Sequence, residues 1–434
     1  MPKDRFLRAS IAAIVACSLV LASSSSFARE AELQIPDELS LIWCLERARE
    51  ANPALARATA LAAAADERVR PAGALDDPRL GYDASNIPTG DLDFSSTPLS
   101  GHQFGLRQKL PFPGLLSNRR TAAERGAEAS HLLVDDRSLV TDGAVESAWS
   151  ELAFAQQALV ITDRNIALLR QLAATAEALY RVGTGLQQDV LRAQVELTAL
   201  LQERLRREEA IARAEANLVA LLDLPPETRL PRTTPLQLDS EEPVLADLLS
   251  TLEGKSARFQ AAIAKVEEAR LRIRVAELEG LPDVDLGIGY RVRKDVVGDP
   301  VDGDDFLSAG LTIRLPVDRS KWRARVAERR ALLRSAEAEL REIRAALFSR
   351  ARTAHAEVVR AGSEEALLAT GLVPQARQSL DASRSAYEVG RIEFLSLLDS
   401  QVRLLNAELR LARARADKRI AFAALETAFG GKLR

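Results

Sequence analysis

Two stretches of this sequence are versions of one another. Tyr180 to Leu197 reads YRVGTGLQQDVLRAQVEL, and Tyr387 to Leu404 reads YEVGRIEFLSLLDSQVRL. Each opens on Tyr-x-Val-Gly and closes on Gln-Val-x-Leu. Further pairs follow in order at an offset of about 205 residues, the mark of an internal duplication. EANPALARATALAAAADERVR at 50–70 aligns with EGKSARFQAAIAKVEEARLRI at 253–273, DDPRLGY with GLPDVDLGIGY, and LRQKLPFP with LTIRLPV. Tyr82 pairs with Tyr290 as Tyr180 pairs with Tyr387. The chain therefore folds as two copies of one plan, and any account of it must use that plan twice.

The plan is helix, two strands, long helix, turn, helix. The first copy spans 29–222, with strands at about 78–88 and 101–112 and helices over 115–182 and 186–222. The second spans 244–430, with strands at about 283–293 and 306–317 and helices over 318–389 and 392–429. A proline-rich connector, 223–243, joins them. The strands declare themselves by alternation. Val284, Leu286, Ile288, Tyr290 and Val292 fall on one face, and Asp283, Asp285, Gly287, Gly289 and Arg291 on the other. Phe104, Leu106 and Leu110 likewise oppose Gln103, Arg107 and Lys109, and Leu307, Leu311 and Ile313 oppose Ser308, Thr312 and Arg314.

No proline interrupts the chain between Pro113 and Pro225, so one helix near 100 Å long is available there. Leu159, Ile166, Leu169, Ala173, Ala176 and Tyr180 recur at heptad spacing, as do Leu186, Val190, Ala193, Leu197 and Leu200 on the returning helix. Leu395, Val402, Leu405 and Leu409 repeat the seam in the second copy, where Pro374 should kink its helix. An abundance of Ala, Leu, Arg and Glu with only 4% aromatic residues suits paired helices. The fold expected is mainly α with a small β part: long coiled-coil hairpins plus four strands.

Strands of about ten residues cross a bilayer when tilted. Four cannot do so alone, because an open sheet in lipid leaves edge amides unpaired at a cost of several kcal/mol each. Closure by further copies of the chain removes the edges, so the strand count implies a homo-oligomeric barrel. The helices then continue it as a tube whose turns lie at the far end.

The N-terminus supplies the route. Residues 1–28 have a basic start at Lys3, Arg5 and Arg8, a short apolar run and small residues before a cut at Ala28, the pattern of a secretory signal peptide. A second reading takes IVAC as a lipoprotein cleavage box that would leave a lipid on Cys17. Cleavage at Ala28 leaves Cys44 as the one cysteine, which excludes an intrachain disulfide and a Cys metal site. The net charge of −3 offers no basic surface for nucleic acid.

The two tips, YRVGTGLQQDVLRAQ and YEVGRIEFLSLLDSQ, and the junction GLRQKLPFPGLLSNRRTAAERGAE resemble those of the TolC family of bacterial outer membrane factors. The junction is similar to the metal-efflux branch, the relatives of CzcC and CusC. The resemblance covers essentially all of the mature chain. It implies a homotrimer with a 12-stranded barrel in the outer-membrane lipid of a Gram-negative bacterium and a periplasmic helical tunnel. It also implies partners: a periplasmic adaptor protein and an inner-membrane pump of the RND type.

Specific residues follow. Gly183, Gly185 and Gly390 fit the reversal of a helix end. With Val182, Thr184, Val389 and Arg391 they make the surface on which the resemblance places adaptor docking. Asp189 and Asp399 follow the turns; facing the bore, either would form a ring of carboxylates by symmetry that favours cations or holds the closed end. In family members acidic residues line the constriction at the positions of Ser396 and Asp399, so the serine departs from a two-tier acidic gate. Solvated helix faces would account for these aspartates equally well.

His102, His131 and His355 have no partner at ligand spacing, and Met1 is the only methionine, so no metal site is expected. No catalytic triad, phosphate loop or cofactor motif stands out, and neither an enzyme nor a cofactor is expected. Trp149 and Trp322 fall within helices and are expected in helix packing; Tyr82, Phe94, Phe104, Phe112, Tyr290 and Phe306 are better suited to a membrane belt. Two rivals remain: a periplasmic adaptor, which needs one hairpin and many short strands, and a soluble coiled-coil scaffold. The duplicated hairpin opposes the first, and the export signal and strand pairs oppose the second. The cargo stays open between metal ions, drugs and solvents.

Overall fold

The computed structural model of the chain describes residues 35–90, 97–236 and 242–433. The leader at 1–28, Cys17, Phe94 and part of the connector lie outside these residues. Each repeat begins with two short helices joined by a single capping residue. In the first, α1 (Leu41–Ala51) meets α2 (Pro53–Glu67) at Asn52. The Asn52 amide donates to Ala48 O while its Oδ1 accepts from the amides of Ala54 and Leu55, closing one helix and opening the next. In the second, α6 (Leu245–Lys255) meets α7 (Ala257–Glu279) at Ser256 in the same way: its amide donates to Leu252 O and its Oγ accepts from Phe259. Between them lie the four-residue α3 (Val69–Ala72), β1 (Arg79–Ser85), β2 (Gly101–Leu110), α4 (Leu115–Arg181) and α5 (Gln187–Leu221). After α7 come β3 (Asp283–Val292), β4 (Phe306–Arg314), α8 (Arg319–Leu367), a π-helical turn (Leu368–Leu372), α9 (Val373–Glu388) and α10 (Phe394–Phe429).

The four strands form one antiparallel sheet in the order β1-β2-β3-β4. Its central pair, β2 with β3, joins the two repeats, placing Phe104 against Tyr290 and Leu106 against Ile288. One face is apolar and bare: Leu80, Tyr82, Phe104, Leu106, Ile288, Tyr290, Leu307 and Leu311 are each more than 40% exposed. The other carries Arg, Lys, Asp, Gly and Ser. A row of unburied apolar side chains alternating with polar ones matches the lipid-facing pattern of strands in a membrane barrel. Phe306 departs from the expectation set for it. It falls on the polar face, with the Arg293 guanidinium 4.0 Å from its ring centre.

Among the described residues no helix is long and apolar enough to cross a membrane. The 67-residue α4 runs for about 100 Å and packs along α5, α7 and α10. Three cores hold the helices. Two are duplicates: Cys44, Trp149, Leu152, Leu218 and Leu222 seat α1 on α4 and α5, while Leu248, Leu252, Val358, Phe422 and Leu425 seat α6 on α8 and α10. Trp149 is a packing residue, as expected, and its Nε1 donates to Leu39 O at 3.0 Å. Trp322 is different. It lies half-buried at the junction of sheet and helices, with the Arg325 and Arg314 guanidinium carbons 4.8 and 5.6 Å from its ring.

The third core is the coiled-coil seam toward the turns, built from Ile166, Leu169, Leu172, Ala176, Ala193, Leu200, Leu397, Leu404 and Leu405. Leu395 is not in it; it stands 52% exposed, and the fully buried Leu397 takes that role, a burial worth about 2 kcal/mol. Pro374 does not break its helix. The chain widens into the π-helical turn just before it, and the proline then sits in the first turn of α9, a position that tolerates a residue without an N–H.

Candidate functional site: the hairpin tips

Both turns use one hydrogen-bond scheme. At the end of α4, the Gly183 amide donates to Tyr180 O at 3.0 Å and the Thr184 amide to Leu179 O at 3.0 Å. At the end of α9, Gly390 donates to Tyr387 O at 2.9 Å and Arg391 to Ala386 O at 2.8 Å. These are Schellman motifs, and they require a left-handed residue, which Gly183 and Gly390 supply at φ of 79° and 69°. Gly185 has another reason to be glycine. A Cβ on it would lie 2.9 Å from the Tyr180 amide nitrogen and 3.0 Å from the Leu179 carbonyl carbon.

The tips leave apolar side chains in the open. Val182 is 72% exposed, Val389 66% and Leu186 65%, and Thr184 and Arg391 beside them are also exposed. The seven residues singled out at the turns therefore lie on two adjacent loops, with Gly185 partly covered.

Between the two loops lies a cleft of about 600 Å³ whose lining includes Thr184, Asp189, Arg192, Tyr387, Gly390 and Glu393. Asp189 is half-buried in it. Burial raises its carboxyl pKa; Arg192 opposes that rise and Glu393 adds to it. Tyr387 is 6% exposed, its ring 5.3 Å from that of Phe394, and its hydroxyl has no hydrogen-bond partner. Burial, and then the Asp189 charge, push its phenol up. The duplicate Tyr180 is 45% exposed. The structure thus gathers Asp189, Tyr387 and Glu393, of which the sequence singled out only Asp189 in this role. Offset arithmetic marked the tyrosine as a repeat position, and nothing in it distinguished the buried copy from the bare one.

Asp399 and Ser396 lie elsewhere. They share an exposed stripe of α10 with Arg403, whose Nε donates to Asp399 Oδ2 at 2.7 Å. An exposed i,i+4 pair of this kind contributes a few tenths of a kcal/mol, so it leaves Asp399 free to face a bore. Among the described residues no group of three or more His, Cys, Asp and Glu is placed to hold a metal ion.

The sequence profile described as outer membrane efflux protein matches residues 44–223 and 248–431, the two repeats in turn. The pyoverdine export outer membrane protein OpmQ of Pseudomonas putida is 29% identical over 413 residues, covering 89% of this chain and 85% of its own. The outer-membrane channel OprN superposes with a TM-score of 0.77 at 20% identity, covering 90% of each chain. CusC superposes with the same TM-score at 18% identity, over 90% of this chain and 92% of its own. Equal likeness to OprN and CusC means that the fold does not single out the metal-efflux branch.

Proposed function

Because the chain belongs to the outer membrane efflux protein family, we propose that it is the exit duct of a tripartite efflux system driven by an inner-membrane pump of the RND type. Three copies close twelve strands into a barrel in the outer membrane, and their helices form the periplasmic tunnel. One observation carries this reading above the others. A sheet with a bare apolar face stands at one end of helices about 100 Å long, and two matched turns with exposed valines stand at the other. The sheet addresses lipid and the turns address a protein. We assign Val182, Gly183, Thr184, Gly185, Val389, Gly390 and Arg391 to adaptor docking.

Opening is a loosening of the hairpins about the cleft that holds Asp189 and Tyr387, with Asp399 and Ser396 lining the bore beyond it. The duct is passive in this reading, and the force comes from the pump. Cargo recognition, metal ions included, then rests with the partners.

Cysteine scanning tests this directly. Cys44 is fully buried, and burial pushes its thiol up to about 12, so it stays silent. Val182→Cys and Val389→Cys should crosslink to a periplasmic adaptor in cells, and the protein should run as a trimer-sized, heat-sensitive band from the outer-membrane fraction. A soluble monomer, or crosslinks no stronger than those from Leu80→Cys on the sheet, would overturn the reading.

A further inference from the structure

We infer that the barrel bore carries an anion-binding collar made by Arg79 and Arg107; the inference rests on the duct reading above. Register places the two arginines directly opposite each other on β1 and β2. Alternation puts them on the polar face, which lines the bore once the apolar face meets lipid. Like charges directly opposite across strands are destabilising, and among the described residues neither arginine has a carboxylate in ion-pair contact. The same face shows what neutralisation looks like elsewhere. One end of the sheet brings Lys109 Nζ to 3.4 Å and Arg314 Nε to 2.6 Å from Asp283. Asp83 and Asp285 also lie on this face, yet neither forms an ion pair with Arg79 or Arg107.

The rest of the row is built to leave the guanidinium groups room. Across from Arg107 lies Gly287, and across from that Gly310. A Cβ on Gly287 would stand 3.5 Å from Arg107 Cγ, so the arginine stem runs over the bare glycine. The adjoining row toward the strand loops is Gly81, Gly105, Gly289 and Ser308, with no charge at all. Closing the barrel does not supply the missing carboxylate. The free edge of β1 must meet β4 of the next copy, and β4 offers the bore Phe306, Ser308, Gly310, Thr312 and Arg314.

Three copies therefore set six guanidinium groups in one ring. Asp76, Asp77, Asp83 and Asp285 line the same stretch of bore without ion-pair contact to either arginine, so the guanidinium groups are left open to a mobile anion. Arginine forks match carboxylate and phosphate oxygens two at a time, so the collar suits organic anions bearing several such groups. It would draw them out of the tunnel and into the uncharged row beyond, on the way to the exterior.

The probe is pyranine, a fluorescent trisulfonate, added to the strand-loop side of the purified protein in planar bilayers. Wild type should be blocked. Arg79→Gln with Arg107→Gln should raise the half-blocking concentration by about tenfold or more, and Arg79→Lys with Arg107→Lys should keep most of the block. Fluorescence anisotropy of pyranine with the protein in detergent gives the same comparison without current, should the tips stay shut. A trimer band on unheated gels certifies each variant. A conducting wild type that ignores pyranine, or a glutamine variant that binds it as tightly as wild type, overturns the collar and leaves the duct standing. A chain that forms no pore removes the duct reading, and the collar with it.

Discussion

Alanine at the three tip glycines separates two kinds of constraint. At Gly183 and Gly390 an added Cβ meets no atom within 4 Å, so the whole cost is the left-handed backbone, about 1–2 kcal/mol at each. At Gly185 no positive φ is involved, but the Cβ would press on backbone atoms of Leu179 and Tyr180 at 3.0 and 2.9 Å. Backbone in the last turn of α4 cannot swing aside as a side chain does, so relief costs about 2–3 kcal/mol. The penalty falls on the turn itself, where the Thr184 and Gly185 amides both donate to Leu179 O. Since 1.4 kcal/mol is a factor of ten, amide exchange across 182–186 should speed up about five- to thirtyfold in Gly183→Ala. In Gly185→Ala it should speed up by more than that. Exchange across 389–393 serves as the internal reference and should stay at the wild-type rate in both. Hydrogen–deuterium exchange with mass spectrometry reads both segments in one experiment. Gly185→Ala exchanging no faster than Gly183→Ala would refute the steric argument, and unchanged rates in both would refute the turn assignment.

Three further outcomes are expected. Burial raises the Asp189 pKa in the closed cleft, so the closed tip binds a proton more tightly than an open one; closure is strongest below the ordinary carboxylate range and weakens as pH rises through the raised value. Bilayer conductance should therefore increase with pH in wild type and lose that dependence in Asp189→Asn. Arg293 in the outer loop pairs with Asp299 at 3.0 Å with both side chains almost wholly buried, so Arg293→Met should cost about 3–5 kcal/mol locally and open 293–305 to added protease. Lys432 contacts Glu146 and Glu426, two carboxylates whose side chains are 4% exposed, while its own is 37% exposed; Lys432→Met should lower the heat-transition midpoint, by less than a fully buried pair would. Arg419 also lies 4.0 Å from Glu146, and an unchanged midpoint would show that it suffices there without Lys432.

The duplicated plan, the strand faces and the tip glycines were legible because each is a local property: a period of two, a heptad, a left-handed residue after a helix. The seam was legible in outline only. Heptad spacing could not tell Leu395 from Leu397, since both satisfy it within a residue and the packing of α10 against α4 decides between them. Pro374 marks where regular α geometry gives way, but a single proline says nothing of the π-helical turn ahead of it. Trp322 was read as packing because the sequence does not show how close the start of α8 lies to the sheet. The Asp189–Tyr387–Glu393 cleft was out of reach altogether, as Asp189 comes from one hairpin and Tyr387 and Glu393 from the other, and they meet only through tertiary structure. The arginine pair was equally hidden: alternation marks Arg107 as a polar-face residue, but its neighbour across the ladder depends on register.

The contrast between bare Tyr180 and enclosed Tyr387 has a consequence for symmetry. A ring of three copies presents six turns of nearly identical backbone, which by itself would make a sixfold iris. Enclosing one tyrosine of each pair divides those turns into two alternating sets, so that the ring responds as three units. A docking partner able to distinguish the sets would be held in three orientations around the axis.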